Sequence, residues 1–193
     1  MPRLFTAIEI PAEVAAGLSI LRGGIHGARW IDPENYHLTL RFIGDVDDAV
    51  ARDVMVMLGG VRRRTFEIRL SGLDQFGGKK PRSVFAPAAA STPLVELQAE
   101  HERIFQRIGL EPESRKFTPH VTLARLRESS AREVADYLTA RGGYRSVPIP
   151  VARFVLFSSR ASMGGGPYVV EAAYPLESPI PLREALPVTT STD

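Results

Sequence analysis

The chain has 193 residues, 44% of them hydrophobic and 24% charged, with a net charge of +2 and no cysteine. That is enough apolar material for a packed core, and it leaves no basis for disulfides or a thiolate metal site. No apolar run approaches the ~18 residues of a membrane span, and the opening residues lack a secretory-leader pattern, so the expectation is a monomeric cytoplasmic protein with no membrane partner.

The apolar pattern predicts a strand over 4–10 and a helix over 12–21. A second helix, 47–58, places Val50, Val54, Met57 and Leu58 on one side and stops at Gly59-Gly60. Strands are expected over 65–70 and 83–86, with a turn at Gly77-Gly78 between them. Residues 93–108 read as a long helix with Leu94, Leu97, His101, Ile104, Phe105 and Ile108 on its apolar side. The helix at 131–140 turns Val134, Ala135 and Leu138 inward, takes Ser129 or Ser130 as its cap and stops at Gly142-Gly143. Strands over 150–158 and 168–174 flank a turn at Gly164-Gly165-Gly166, and 179–193 form a Pro/Thr-rich tail without periodicity.

Two tetrads stand out from this background. His37-Leu38-Thr39-Leu40 and His120-Val121-Thr122-Leu123 repeat one pattern 83 residues apart, using two of only four histidines. On a strand, alternate side chains share a face, so each tetrad sets an imidazole beside a hydroxyl over an apolar back. Gly59-Gly60 and Gly142-Gly143 keep the same offset, as do Phe85 and Tyr168. The chain therefore reads as tandem copies of one unit, around 37–87 and 120–175, within a single domain of residues 1–178. If the two strands meet, a pair of histidines faces one space, an arrangement suited to acid–base chemistry on a phosphate.

Other chemistry finds little support. Zinc needs three or four donors, and no third His or Cys stands at a ligand spacing, so neither metal nor cofactor is expected. The glycine triplet lacks the Lys and helix of a phosphate-cradling loop. His26 and His101 carry no accompanying motif and read as structural. The basic clusters Arg62-Arg63-Arg64 and Lys79-Lys80-Pro81-Arg82 read as solvated loops, with a nucleic-acid groove as the alternative.

The tetrads, Trp30 ahead of Tyr36-His37-Leu38-Thr39-Leu40-Arg41-Phe42-Ile43-Gly44, and Phe117-Thr118-Pro119-His120-Val121-Thr122-Leu123-Ala124-Arg125 resemble the 2H phosphoesterase superfamily. Within it the likeness is to the RNA 2′,3′-cyclic phosphodiesterases, also called 2′-5′ RNA ligases, and runs from about residue 3 to residue 176. The opening Arg3-Leu4-Phe5-Thr6-Ala7-Ile8 before Pro11 shares it. The resemblance implies an α+β fold of two pseudo-symmetric lobes, two antiparallel sheets with helices outside and a central cleft. It also implies RNA ends or small cyclic nucleotides as partners, and a 2′-phosphate product.

The residues accommodate that activity. One histidine would deprotonate water while the other protonates the departing ribose oxygen, and an imidazole near its ordinary pKa of ~6.5 can do either. His37 is assigned the acid role and His120 the base role, although the sequence leaves the order open. Thr39 and Thr122 would donate to non-bridging oxygens, and the resemblance adds Arg125 as a phosphate contact. Strict alternation turns Arg125 away from His120, so a bulge must re-aim it. Phe42 and Tyr168 could stack a terminal base, with core packing as the alternative. Run backwards, with a 5′-hydroxyl in place of water, the same site would join RNA ends.

Overall fold

The computed structural model describes residues 3–159 and 166–178; Gly164, Gly165 and the 179–193 tail lie outside them. The first strand, β1 (Arg3–Glu9), is buried on both faces, which is why its middle reads as an almost unbroken apolar run. Helix α1 (Ala12–Ser19) leads to β2 (Ala28–Trp30), a short 3-10 turn at Pro33–Asn35 and β3 (His37–Asp45). Helix α2 (Asp48–Leu58) starts where the Asp47 carboxylate accepts the Val50 amide at 2.9 Å. Then come β4 (Phe66–Ile68), β5 (Asp74–Phe76), β6 (Ser83–Pro87) and helix α3 (Thr92–Arg107). The remainder is β7 (His120–Leu126), α4 (Ala131–Arg141), β8 (Ile149–Val151), β9 (Arg153–Ser159) and β10 (Tyr168–Pro175). Helix α4 is capped by Ser130, whose hydroxyl accepts from the Glu133 amide at 3.2 Å.

All paired strands are antiparallel. One lobe carries the order β10-β9-β1-β3; the other carries β7-β6-β5, with β2 also on β7. The two lobes' strands join into one eight-stranded sheet through a single residue pair, Leu38 opposite Val121, both fully buried. A small ladder of β4 on β8 makes a second bond between the halves of the chain. The expected α+β duplication is therefore present, but the copies are exchanged in space. Strand β9, late in the chain, extends the sheet of β1 and β3, while β5 extends that of β6 and β7.

The strand pairing groups the strands differently from the 83-residue offset. The 83-residue offset matched Phe85 with Tyr168 and closed the first copy at 87. The topology instead equates β6 with β1, each paired with its own lobe's histidine strand. By register Phe85, opposite Thr122, stands where Ala7 stands opposite Thr39, although it packs on its lobe's histidine as Phe5 does; β6 thus opens the second copy. Other expectations shift for local reasons. The strand expected over 150–158 breaks at Ala152 into β8 and β9, which join different sheets. Strands β2 and β5, three residues each, are too short to leave a period in the sequence. Helices α2 and α4 do end at Gly59 and Gly142, but both glycines stay right-handed (φ −62° and −65°), so no left-handed cap is used.

Helices α1, α2 and α3 cover one large core that includes Leu18, Val54, Leu58, Leu94, Leu97 and Phe105, together with Leu38 and Val121 from the junction. A smaller cluster of Phe5, Ala7, Val155 and Phe157, with Tyr168 against it, lies under the first histidine. A third, including Val84, Ala124, Val134 and Tyr137, anchors α4 to the second sheet. Burying each large apolar side chain contributes about 1.5–3 kcal/mol, so both histidine strands are held from behind. Among the described residues no helix is long and apolar enough to cross a membrane.

Candidate active site

The junction pair determines what faces the cleft. Leu38 and Val121 each sit between the His and Thr of their tetrads, pointing into the core. In this antiparallel register His37 comes across from Thr122, and Thr39 across from His120. All four, with Phe42, Arg125 and Tyr168, line a single cavity of about 310 Å³. Seven residues singled out in the sequence thus converge on one space.

Arg125 reaches that space by a bulge. Strand β6 pairs Ser83 with Arg125 and Val84 with Ala124, then Phe85 with Thr122, leaving Leu123 unmatched. Leu123 and Ala124 are consecutively buried, and the alternation restarts with Arg125 on the cleft side. Strand β3 has the same irregularity: Thr6 pairs with Arg41 and Ala7 with Thr39, skipping Leu40. There it puts Phe42 in the cleft at the position that Arg125 holds in β7.

Each imidazole is fixed by the same local device. The Nδ1 of His37 lies 2.8 Å from the carbonyl of Asn35, and that of His120 lies 2.6 Å from the carbonyl of Thr118, two residues back in both cases. A carbonyl only accepts, so Nδ1 carries the hydrogen and Nε2 is left to exchange a proton. Aromatic rings hold the other faces. His37 packs on Phe5 (5.0 Å between centroids) and edge-on to Tyr168 (5.0 Å). His120 packs on Phe85 (4.9 Å) and edge-on to Phe76 (5.0 Å). Burial lowers both pKa values: His37 falls to about 4, with His120 and Arg125 adding repulsion, and His120 falls less far, with Arg125 adding to it. Neither threonine hydroxyl makes a side-chain hydrogen bond among the described residues, so both are free to donate.

The two aromatic candidates differ. Phe42 is 42% exposed, whereas the Tyr168 ring is engaged edge-on by both His37 and Phe5 (5.2 Å). Phe5, Phe76 and Phe85 pack on the histidines but carry no mark of it in the sequence. Phe5 and Phe85 lie in apolar strands that look like core, and Phe76 closes a three-residue strand, so only tertiary pairing reveals them. His26 and His101 stand away from this cavity. His101 is fully buried, its Nδ1 3.0 Å from the Thr6 hydroxyl. Arg63 is taken up by Glu96 and Glu100 of α3, while Arg82 borders the cleft's continuation. Among the described residues, no group of three or more His, Asp or Glu side chains is placed to hold a metal ion.

The chain is similar to known proteins. The model of the LigT-like phosphoesterases matches residues 8–86 and again 84–168, so its two copies divide the chain where the strand pairing does. The RNA 2′,3′-cyclic phosphodiesterase of Aquifex aeolicus is 31% identical over 155 residues, 76% of this chain and 81% of that protein. That of Aeropyrum pernix is 39% identical over 99 residues, half of this chain, and the match spans 56% of its length. Escherichia coli LigT, crystallised with 3′-AMP, superposes with a TM-score of 0.73 at 25% identity, covering 91% of this chain and 99% of that one.

Proposed function

Because the chain belongs to the LigT-like phosphoesterase family, we propose that it hydrolyses 2′,3′-cyclic phosphate ends of RNA to 2′-phosphates with its histidine pair and no metal. The observation that carries this reading is the symmetric convergence of two Nε2 atoms, each backed by an Nδ1–carbonyl bond, with a free threonine hydroxyl across from each.

The step is an in-line displacement. One imidazole takes a proton from water, the water oxygen bonds to phosphorus, and the bond from phosphorus to the 3′ oxygen breaks. The other imidazole gives its proton to that oxygen, leaving a 2′-phosphomonoester and a 3′-hydroxyl. Each proton transfer contributes about 10²–10⁴ in rate. Thr39, Thr122 and Arg125 donate to the non-bridging oxygens as charge builds on them. Phe42, the more exposed ring, offers a stacking face for the terminal base; Tyr168 holds His37 and closes the base's edge. With a 5′-hydroxyl in place of water the reverse reaction forms a 2′-5′ linkage, by microscopic reversibility.

Which ring is the base bears on the pKa order. Burial keeps His37 neutral more firmly than His120, which favours His37 as proton acceptor and His120 as donor, the reverse of the order assigned from sequence. The phosphate's negative charge then supports the imidazolium at His120, beside Arg125.

The test is turnover of an oligonucleotide ending in a 2′,3′-cyclic phosphate with excess EDTA present. The expected result is full activity with a 2′-phosphate product, identified by phosphorus NMR. Activity that disappears in EDTA and returns with Mg²⁺ or Zn²⁺ contradicts the mechanism. Tight binding without turnover would make the protein a binding module for RNA ends instead.

A further inference from the structure

The cleft continues into a second cavity of about 520 Å³, which shares Arg115 as well as Thr39, Phe42, His120 and Arg125 with the first. Its lining adds Arg82 and Lys116, which the first cavity lacks, beside Arg115 and one carboxylate, Glu113. Arg82 and Lys116 form no ion pair among the described residues, so their charges stand uncompensated at the cavity. The displacement at phosphorus uses neither of them.

This wall is braced. Glu113 grips the Arg115 guanidinium with both oxygens, at 3.0 and 2.9 Å, leaving the arginine side chain 76% exposed. The pairing holds Glu113 down at about 2, so the brace persists across the working pH range. The Glu113 amide donates to Glu102 at 3.1 Å, and Glu102 pairs with the buried Arg41, which also donates to the Glu111 carbonyl. Arg41 immediately precedes Phe42, so the wall and the proposed base platform hang from the same turn of β3. Opposite them, Gly77 makes the β5–β6 turn at φ +113°, where a Cβ would meet the Lys80 carbonyl oxygen at 2.2 Å. That tight turn is followed at once by the Arg82 wall.

A single RNA strand carries one negative charge at every linkage, and a terminal nucleotide in the first cavity leaves the next linkage to be housed. We propose that the second cavity receives the penultimate phosphodiester of an RNA strand, contacted by Arg82 and Lys116 with Arg115 held beside them by Glu113. The protein thereby prefers strand ends to cyclic mononucleotides. This rests on the cyclic phosphodiesterase reading and adds a second subsite to it.

The experiment compares kcat/KM for 2′,3′-cyclic AMP and for a tetranucleotide ending in a 2′,3′-cyclic phosphate, across a salt series, in wild type and in R82A/K116A. The expected wild-type preference for the tetranucleotide is about tenfold or more, as for charge-assisted phosphate contacts. In the double variant the ratio of the two kcat/KM values should fall about tenfold. The tetranucleotide's log–log salt slope should also become shallower by roughly 0.7 per lost contact. A merely structural role would move both substrates together and leave that slope alone. Equal kcat/KM for the two substrates in wild type, or a preference and slope that survive in R82A/K116A, would overturn the subsite while the cyclic phosphodiesterase reading stands. Turnover of neither substrate by wild type would overturn both.

Discussion

The lobe around His37 and the lobe around His120 are built alike and finished differently. Each holds its histidine by a carbonyl two residues back, a phenylalanine face and an aromatic edge. Each then skips one residue in a bulge, and there the lobes part: the bulge delivers Phe42 in one and Arg125 in the other. One position earlier, the buried Arg41 contrasts with the buried Ala124. Duplication thus supplies a near-symmetric pair of histidines, the acid–base pair of the proposed mechanism, and a few substitutions make the cleft directional, with an aromatic surface on one side and cationic charge on the other. The symmetric part suits proton transfer in either direction; the asymmetric part decides how a substrate lies between the rings.

The largest effect should come from breaking the symmetric part. His37→Ala or His120→Ala each should lower kcat by two orders of magnitude or more. The double variant should be far less than additive, because the pair acts as a unit. A folded single variant with near-normal turnover would exclude the pair.

Breaking the asymmetric part should separate the lobes. Arg125→Ala should reduce kcat about a hundredfold by removing a donor to the charged transition state, while Phe42→Ala should cost about tenfold, mainly in KM. Similar effects on the same kinetic constant would mean that the two bulge positions do the same work.

The pH profile sharpens the comparison. The proposed mechanism needs one ring neutral and one protonated in the free protein, and burial lowers both pKa values. The bell of kcat/KM should therefore peak on the acid side of the ordinary imidazole value, its acid limb falling through about 4, with both limbs belonging to the pair. A profile rising steadily through pH 8 would indicate hydroxide attack without an acid partner. Smaller still is the effect on stability. His37 and His101 take up protons in the unfolded chain below about 6.5, but in the folded chain only near 4 and 3. Stability is therefore complete above that range and is lost as pH falls through it. Urea titrations at pH 7 and pH 5 should show the loss, and His101→Gln should reduce it.

Much of this was legible in the sequence because the tetrads combine residue type with strand alternation. His37, Thr39, His120 and Thr122 follow from period two alone, and Arg125 required only the bulge that strand parity demanded. What stayed hidden depends on pairing between distant strands. Nothing local in 74–87 shows that Phe76 and Phe85 serve His120, because a repeat in the sequence does not say which lobe each strand completes. The 83-residue offset equated Phe85 with Tyr168 for the same reason. Strict alternation places Arg41 on the face of His37 and Thr39, and the bulge that buries it beside Glu102 appears only in the register with β1.

The central claim is that one ring removes a proton and the other supplies one, and a change of leaving atom tests it most directly. Sulfur in place of the 3′ oxygen leaves without needing a proton, so a variant lacking the acid should recover on that substrate and a variant lacking the base should not. The measurement is kcat/KM for the 3′-thio and 3′-oxo cyclic substrates in His37→Ala and His120→Ala. The account predicts recovery of His120→Ala toward wild-type values, with His37→Ala remaining slow on both substrates. Recovery of His37→Ala alone would reverse the two roles; recovery of both variants or of neither would contradict the division of labour itself.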